Sequence, residues 1–148
     1  MSQQSESVLN NVLIDMACSF LQYVAEAWPW VSTQDHSVEE QVNAIAARQR
    51  QDVAEIVALL TAREQFIDFG SFPTEYTDLQ FIALEALFDS LHGSQQIVCD
   101  SIASALSQLR DGSDEEAVNL LTAIETRQTE AATALKEVQE QLATPAAD

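Results

Sequence analysis

The chain reads as all-α, a four-helix bundle of two antiparallel helical hairpins joined by a long crossover. Three observations predict this. The 148 residues hold only three Gly and three Pro and are rich in Ala, Leu, Gln and Glu, a composition that favours helix over strand. Four long stretches carry apolar residues at three- and four-residue spacing. A short string also occurs twice: Ala44-Ile45-Ala46-Ala47-Arg48-Gln49 matches Ala123-Ile124-Glu125-Thr126-Arg127-Gln128 at Ala, Ile, Arg and Gln. Each copy lies mid-helix, so the repeat suggests two related hairpins in one domain spanning residues 1–148.

The first helix is expected over residues 5–27. Its apolar stripe is Val8, Leu9, Val12, Leu13, Met16, Phe20, Val24 and Trp28, and Pro29 ends it, because the residue before proline is pushed out of helical conformation. Asp15, Ser19, Gln22 and Glu26 fall on the other face and read as solvated. The second helix, 37–65, opens on a capping box, Ser37 with Glu40, in which each side chain satisfies the other's orphan backbone N–H. Its seam is Val42, Ile45, Gln49, Val53, Ile56 and Leu60.

The third helix, 77–110, opens on Thr77 with Gln80, with Tyr76 and Phe81 placed as a hydrophobic staple; Gly93 is a position for a bend or break. The fourth, 113–142, opens on Ser113 with Glu116, and its seam is Leu121, Ile124, Gln128, Ala131, Leu135 and Val138. The connections between helices one and two and between three and four are short, which makes each pair an antiparallel hairpin. Residues 66–76 differ. Extended, they reach roughly 36 Å, whereas a helix of about 28 residues is roughly 42 Å long. The segment therefore nearly crosses the bundle, and Phe66, Phe69, Phe72 and Tyr76 read as its anchors on the flank.

The net charge of −18, from 24 acidic and 6 basic residues, repels phosphate, so nucleic acid and anionic membranes are poor partners. Solubility or a saline environment accounts for the charge more simply than an acidic docking face does. Cys18 and Cys99 lack CxxC spacing and read as buried free thiols. The first residues have no basic n-region and no apolar run reaches membrane-spanning length, so the expected location is cytoplasmic.

Two hairpins related by a repeat and joined by a long crossover resemble the ferritin-like superfamily. The resemblance implies a ligand pattern: in metal-binding members, helices two and four each carry Glu-x-x-His and helices one and three each add a glutamate. Residues three apart share a helix face and can hold one ion. Here the repeat falls where those motifs should be. Helix four has Glu125-Thr126-Arg127-Gln128, with glutamine for histidine, and helix two has Ala46-Ala47-Arg48-Gln49, with both ligands gone. Helix one has no acid on its stripe, and Glu85 of helix three lies beside the stripe. An amide oxygen is a weak ligand for iron, so ferroxidase or oxidase activity is not expected and no cofactor is expected.

Gln49 and Gln128, with Arg48 and Arg127 beside them, read as a structural polar seam fixing helix register; the functional reading is an altered ligand set. Glu85, Asp89, His92, Gln96 and Cys99 line one side of helix three and read as a boundary between core and solvent. No Gly-rich phosphate loop, Gly-x-Ser-x-Gly or Cys/His pattern occurs. Trp28-Pro29-Trp30 caps the core or offers a partner-binding patch. The expected function is non-catalytic, in binding or assembly, with a protein partner or self-association. The alternative is a metal-binding protein holding iron or another divalent metal on Glu125, Glu85 or His92.

Overall fold

The computed structural model describes residues 2–26, 36–73 and 84–143. Among them are five α-helices and no strand: α1 Ser2–Ala17, α2 Phe20–Glu26, α3 His36–Ala62, α4 Leu84–Leu109 and α5 Glu115–Ala143. Trp28-Pro29-Trp30, the Thr77–Gln80 box and the Tyr76–Phe81 staple lie outside the described residues.

The expected single first helix is two helices, bent by 46°. The break has a local cause at Ser19. Its backbone N–H bonds Met16 O at 3.2 Å, a tightened last turn of α1, while its hydroxyl accepts the Gln22 N–H at 3.4 Å as the N-cap of α2. A second freed donor, Phe20 N–H, reaches Ser94 Oγ on α4 at 3.0 Å. The bend turns Ser19 and Gln22 inward. Both are only 4% exposed, which corrects the reading of that face as solvated; Asp15 and Glu26 are exposed.

Cross-helix bonds set the directions. Arg63 meets Glu6 at one pole and Gln22 meets Ala46 near the other, so α3 runs antiparallel to α1–α2. The pairs Asp15–Ser101 and Phe20–Ser94 place α4 antiparallel to α1–α2. Contacts of Arg63 with Asp114 and of Gln41 with Gln141 do the same for α3 and α5. Gln95 with Gln128 and His92 with Gln139 do so for α4 and α5. It follows that α3 and α4 point the same way. The helices enclose two apolar clusters, one built around Leu9, Leu13, Ile56, Ile102, Leu106 and Leu121, the other around Phe20, Leu21, Val42, Phe88, Leu91 and Leu135.

Helix α3 stops at Ala62, short of the expected Gln65, because Glu64 takes the left-handed conformation (φ 57°). Gln65 N–H then bonds Leu60 O and Glu64 N–H bonds Thr61 O, both at 3.0 Å, the Schellman pattern that satisfies the last carbonyls. Ser37 lies inside the first turn of α3, and its hydroxyl accepts from Gln41 Nε2 at 3.2 Å. Helix α4 is continuous through Gly93, where an added Cβ would meet nothing within 4 Å. Asp114, not Ser113, caps α5: its Oδ1 accepts Ala117 N–H at 3.1 Å. The carboxylate also takes both arms of Arg63, at 2.7 and 2.8 Å, and a charged cap outcompetes the serine. Arg63 reaches Glu6 and Glu116 as well, at 3.2 Å each, so one guanidinium ties α1, α3 and α5 at this pole. The Arg63 cation holds Asp114 down at about 2.

From Arg63 the chain returns along α1 toward α2. Asn10 and the Asp68 backbone exchange two hydrogen bonds, at 2.9 and 3.0 Å, and Cys18 Sγ–H donates to Phe69 O at 3.3 Å. Gly70, at φ 69°, passes so close to α1 that a Cβ would stand 2.8 Å from Ile14 Cγ2. The expected aromatic anchors are corrected in part. Phe66 and Phe69 are 89% and 53% exposed, while Ile67 packs on the core and Phe72 sits edge-on to Tyr23 at 5.3 Å. Tyr76 is outside the described residues. Backbone hydrogen bonds hold this segment in place of the first two rings. Cys18 and Cys99 are free and half-buried.

The left-handed Glu64 carries a steric cost that glycine lacks. Glu64→Gly is therefore expected to stabilise the fold by about 0.5–1 kcal/mol, read as a rise in the urea midpoint at unchanged slope. A fall would show that the Glu64 side chain, not the backbone, governs this corner.

Candidate functional site

Halfway along the molecule the apolar rows of four helices are interrupted at one level. On α3 the inward row is Val38, Val42, Ile45, Gln49, Asp52, Ile56 and Leu60; on α4 it is Phe88, Leu91, Gln95, Val98 and Ile102; on α5 it is Leu121, Ile124, Gln128, Leu135 and Val138. Ser19 and Gln22 join from the α1–α2 break. All six polar side chains are buried, and they form a layer between the two apolar clusters.

Gln49 is the hub. Its Oε1 accepts from Ser19 Oγ at 3.1 Å and from Gln22 Nε2 at 2.9 Å. Its Nε2 donates to Gln95 Oε1 at 3.2 Å and to Gln128 Oε1 at 2.9 Å. Both lone pairs and both protons of one amide are thereby used. Gln95 Nε2 donates to Gln128 Oε1 and to the Gln128 carbonyl, each at 3.0 Å. Gln22 Nε2 also reaches Ala46 O at 2.8 Å, and Arg50 Nη1 donates to Gln22 Oε1 at 3.1 Å. The chain of amides ends on a charge: Gln128 Nε2 donates to Asp52 Oδ2 at 2.6 Å.

Asp52 is the one buried carboxylate in the layer. Burial pushes its pKa up, and the nearby Arg127 cation and the Gln128 bond oppose that only in part. Arg127 Nε lies 3.2 Å from Asp52 Oδ1, but its N–H is aimed at Ala123 O at 3.4 Å, so this is a charge contact without a directed hydrogen bond. Among the described residues Oδ1 is the only buried side-chain atom with no hydrogen-bond partner. Arg127 Nη2 also meets Glu55 at 2.9 Å, and exposed Arg48 stands 4.0 Å from Glu130. A recess of about 50 Å³ opens here, lined by Arg48, Gln49, Asp52, Arg127 and Gln128. That volume takes water rather than an organic substrate.

The candidate ligands do not converge with this layer. His92 Nε2 is 2.6 Å from Gln139 Oε1. Gln139 is about four turns, roughly 21 Å, beyond Glu125 on α5, so His92 and Glu125 face different levels. Glu125 is half-buried beside Cys99, whose thiol it helps push up after burial and Asp100. Glu85 lies on α4, with its side chain outside the described residues. Among the described residues no group of three His, Cys, Asp or Glu side chains could hold a metal ion.

Asp52 and Gln95 were missed in the sequence: the seam drawn through Val53 is corrected to Asp52, which is buried while Val53 is half-buried, and on α4 it is Gln95, not Gln96, that turns inward, although both sit at the spacing of the buried rows. Ser19 and Gln22 carried no such signal, because only the break brings them inward. Compared with known protein families and with curated proteins, the chain matches no family model and no curated protein.

Gln49→Leu would leave Ser19, Gln22, Gln95 and Gln128 short of partners and is expected to destabilise by at least about 1–3 kcal/mol. Adding Gln128→Leu is expected to restore little, because Gln95 Oε1 and Asp52 Oδ2 then lack a donor; a closed pair of amides would instead recover most of the loss. A double-mutant cycle by urea unfolding distinguishes the two.

The raised pKa of Asp52 sets a sign. The folded state holds this proton to higher pH than the unfolded chain, whose value is near 3.8, so the Asp52 contribution to stability falls as pH rises above 3.8 through the raised native pKa. Asp114, held low, acts oppositely: its contribution is full above 3.8 and is lost as pH falls toward about 2. Asp52→Asn should therefore flatten the decline in stability on the alkaline side of 3.8 and leave the acid limb below it unchanged. Parallel curves for wild type and variant would mean that Asp52 has no shifted proton.

Proposed function

We propose that this protein is a non-catalytic, ferritin-like four-helix bundle that works by binding or assembly. The observation that carries the reading is the donor set at mid-length, four glutamines and one aspartate already bonded to one another. The helix directions agree with it: α3 and α4 point the same way, and residues 63–73 return along α1, as two hairpins and a crossover require. In the ferritin-like pattern the histidines of helices two and four would fall at Gln49 and Gln128. An amide gives a metal only its carbonyl oxygen. Gln49 Oε1 already accepts from Ser19 and Gln22, and Gln128 Oε1 from Gln49 and Gln95. Asp52 faces Arg127, whose charge opposes a second cation.

The layer gives catalysis little to work with beyond Asp52, whose raised pKa and unpartnered oxygen meet only a small recess. Each amide is engaged, Ser19 is committed to Gln49, and the recess over Asp52 is too small for a substrate. Among the described residues no single helix is long and apolar enough to cross a membrane; α1 and α2 together pass on composition, but they are bent and their apolar residues form the core.

Purified protein loaded with Fe(II) and then desalted is expected to retain well under one iron per chain, and to oxidise Fe(II) at the buffer rate. Elemental analysis and the absorbance of ferric products read both. Stoichiometric iron lost on Glu125→Gln or His92→Gln would overturn this reading in favour of a carboxylate/His metal protein.

A further inference from the structure

The six basic residues are placed unevenly. Arg48, Arg50, Arg127 and Lys136 lie on α3 and α5, Arg63 and Arg110 lie in the turns that follow α3 and α4, and α1, α2 and α4 themselves contain no lysine or arginine. A groove runs between α1 and α4 on that cation-free side. Its floor is apolar and small, with Val8, Val12 and Ala105 below and Ser101 and Ser104 along α4. Asp15 and Asp100 stand on its rim, and Ser101 Oγ–H donates to Asp15 Oδ2 at 2.5 Å. Ile97, on the same wall, is 64% exposed, one of three large apolar side chains left out among the described residues.

The geometry points to the α1–α4 groove as a docking site for a basic amphipathic helix of a partner protein. Ile97 to Gln108 spans roughly 16 Å, about three helical turns. The small side chains of the floor let another helix approach closely. An apolar residue of that helix would cover Ile97, and lysines or arginines on its flanks would face Asp15 and Asp100, where this chain supplies no cation of its own. A second copy is a poor occupant, because it brings another net charge of −18. The inference rests on the binding reading above. Iron chemistry would sink that reading without touching the groove, and the groove variants below leave metal retention unaffected.

The test uses the full chain and a synthetic Leu/Lys/Ala amphipathic helix, with a Leu/Glu/Ala helix as control, followed by fluorescence anisotropy at physiological salt. The basic peptide should bind and the acidic one should not, and amide shifts should map to Val8–Asp15 and Ile97–Gln108. Ile97→Ser, at an exposed site that tolerates change, should weaken binding by about fivefold. The pair Asp15→Asn with Asp100→Asn should weaken it about tenfold, against less than twofold for the equal-charge pair Asp111→Asn with Glu137→Gln. Equal losses in the two pairs, an unchanged Ile97→Ser, shifts confined to α3 and α5, no binding at all, or dimerisation of the free chain through this face would each overturn the assignment.

Discussion

A single constraint organises this molecule: the polar groups buried at mid-length are joined in one hydrogen-bonded layer, with Asp52 Oδ1 alone left to the charge of Arg127. Four glutamines from α2, α3, α4 and α5 meet there with Ser19 and Asp52, away from water. An amide stranded in such surroundings costs about 1–3 kcal/mol, so each helix is held at the one axial position that completes its neighbours' bonds. Apolar packing alone tolerates sliding by a turn, because one aliphatic contact replaces another. The layer does not, because a shift of α3 relative to α5 would move Gln49 off Gln128 and Asp52 off both Gln128 and Arg127.

The rest of the architecture serves that level. The 46° break after Ala17 delivers Ser19 and Gln22, which a straight helix would carry on its outer face. The freed backbone donors at the break are satisfied by Ser19 itself and by Ser94 of α4, so the bend is tied to a neighbouring helix. At the far pole Arg63 does comparable work with charge, gathering Glu6, Asp114 and Glu116 where α1, α3 and α5 meet. The segment after Arg63 is fixed through its backbone on Asn10 and Cys18, which leaves Phe66 and Phe69 in solvent.

What was legible beforehand follows from which signals are periodic. The all-helical class and the buried stripes come from three- and four-residue spacing, and the structure contains the corresponding long helices, with the first divided in two. The repeat picked out Gln49 and Gln128; Asp52 and Gln95 were passed over, Asp52 because its neighbour Val53 continues the apolar seam more naturally and Gln95 because Gln96 lies in line with His92 and Cys99. The aperiodic features escaped. A helix break between two apolar runs in phase leaves no mark on the pattern, so Ser19 and Gln22 read as surface. The end of α3 escaped because a glutamate, not a glycine, takes the left-handed position. The cap of α5 was displaced by one residue because Arg63, distant in sequence, recruits Asp114. The candidate ligands Glu125 and His92 share no level of the bundle, and helical spacing along one chain segment carries no information on that.

The glutamine hub has a consequence for how this protein can change over generations. Because Gln49 spends every donor and acceptor on four neighbours, replacing it leaves several groups unpaired at once, and a change at just one other site does not compensate. The layer can drift only by several coordinated substitutions, through intermediates that fold poorly. Descendants of this chain should therefore diverge freely on their outer faces while the middle tier stays locked, like a combination that opens only when several dials turn at once.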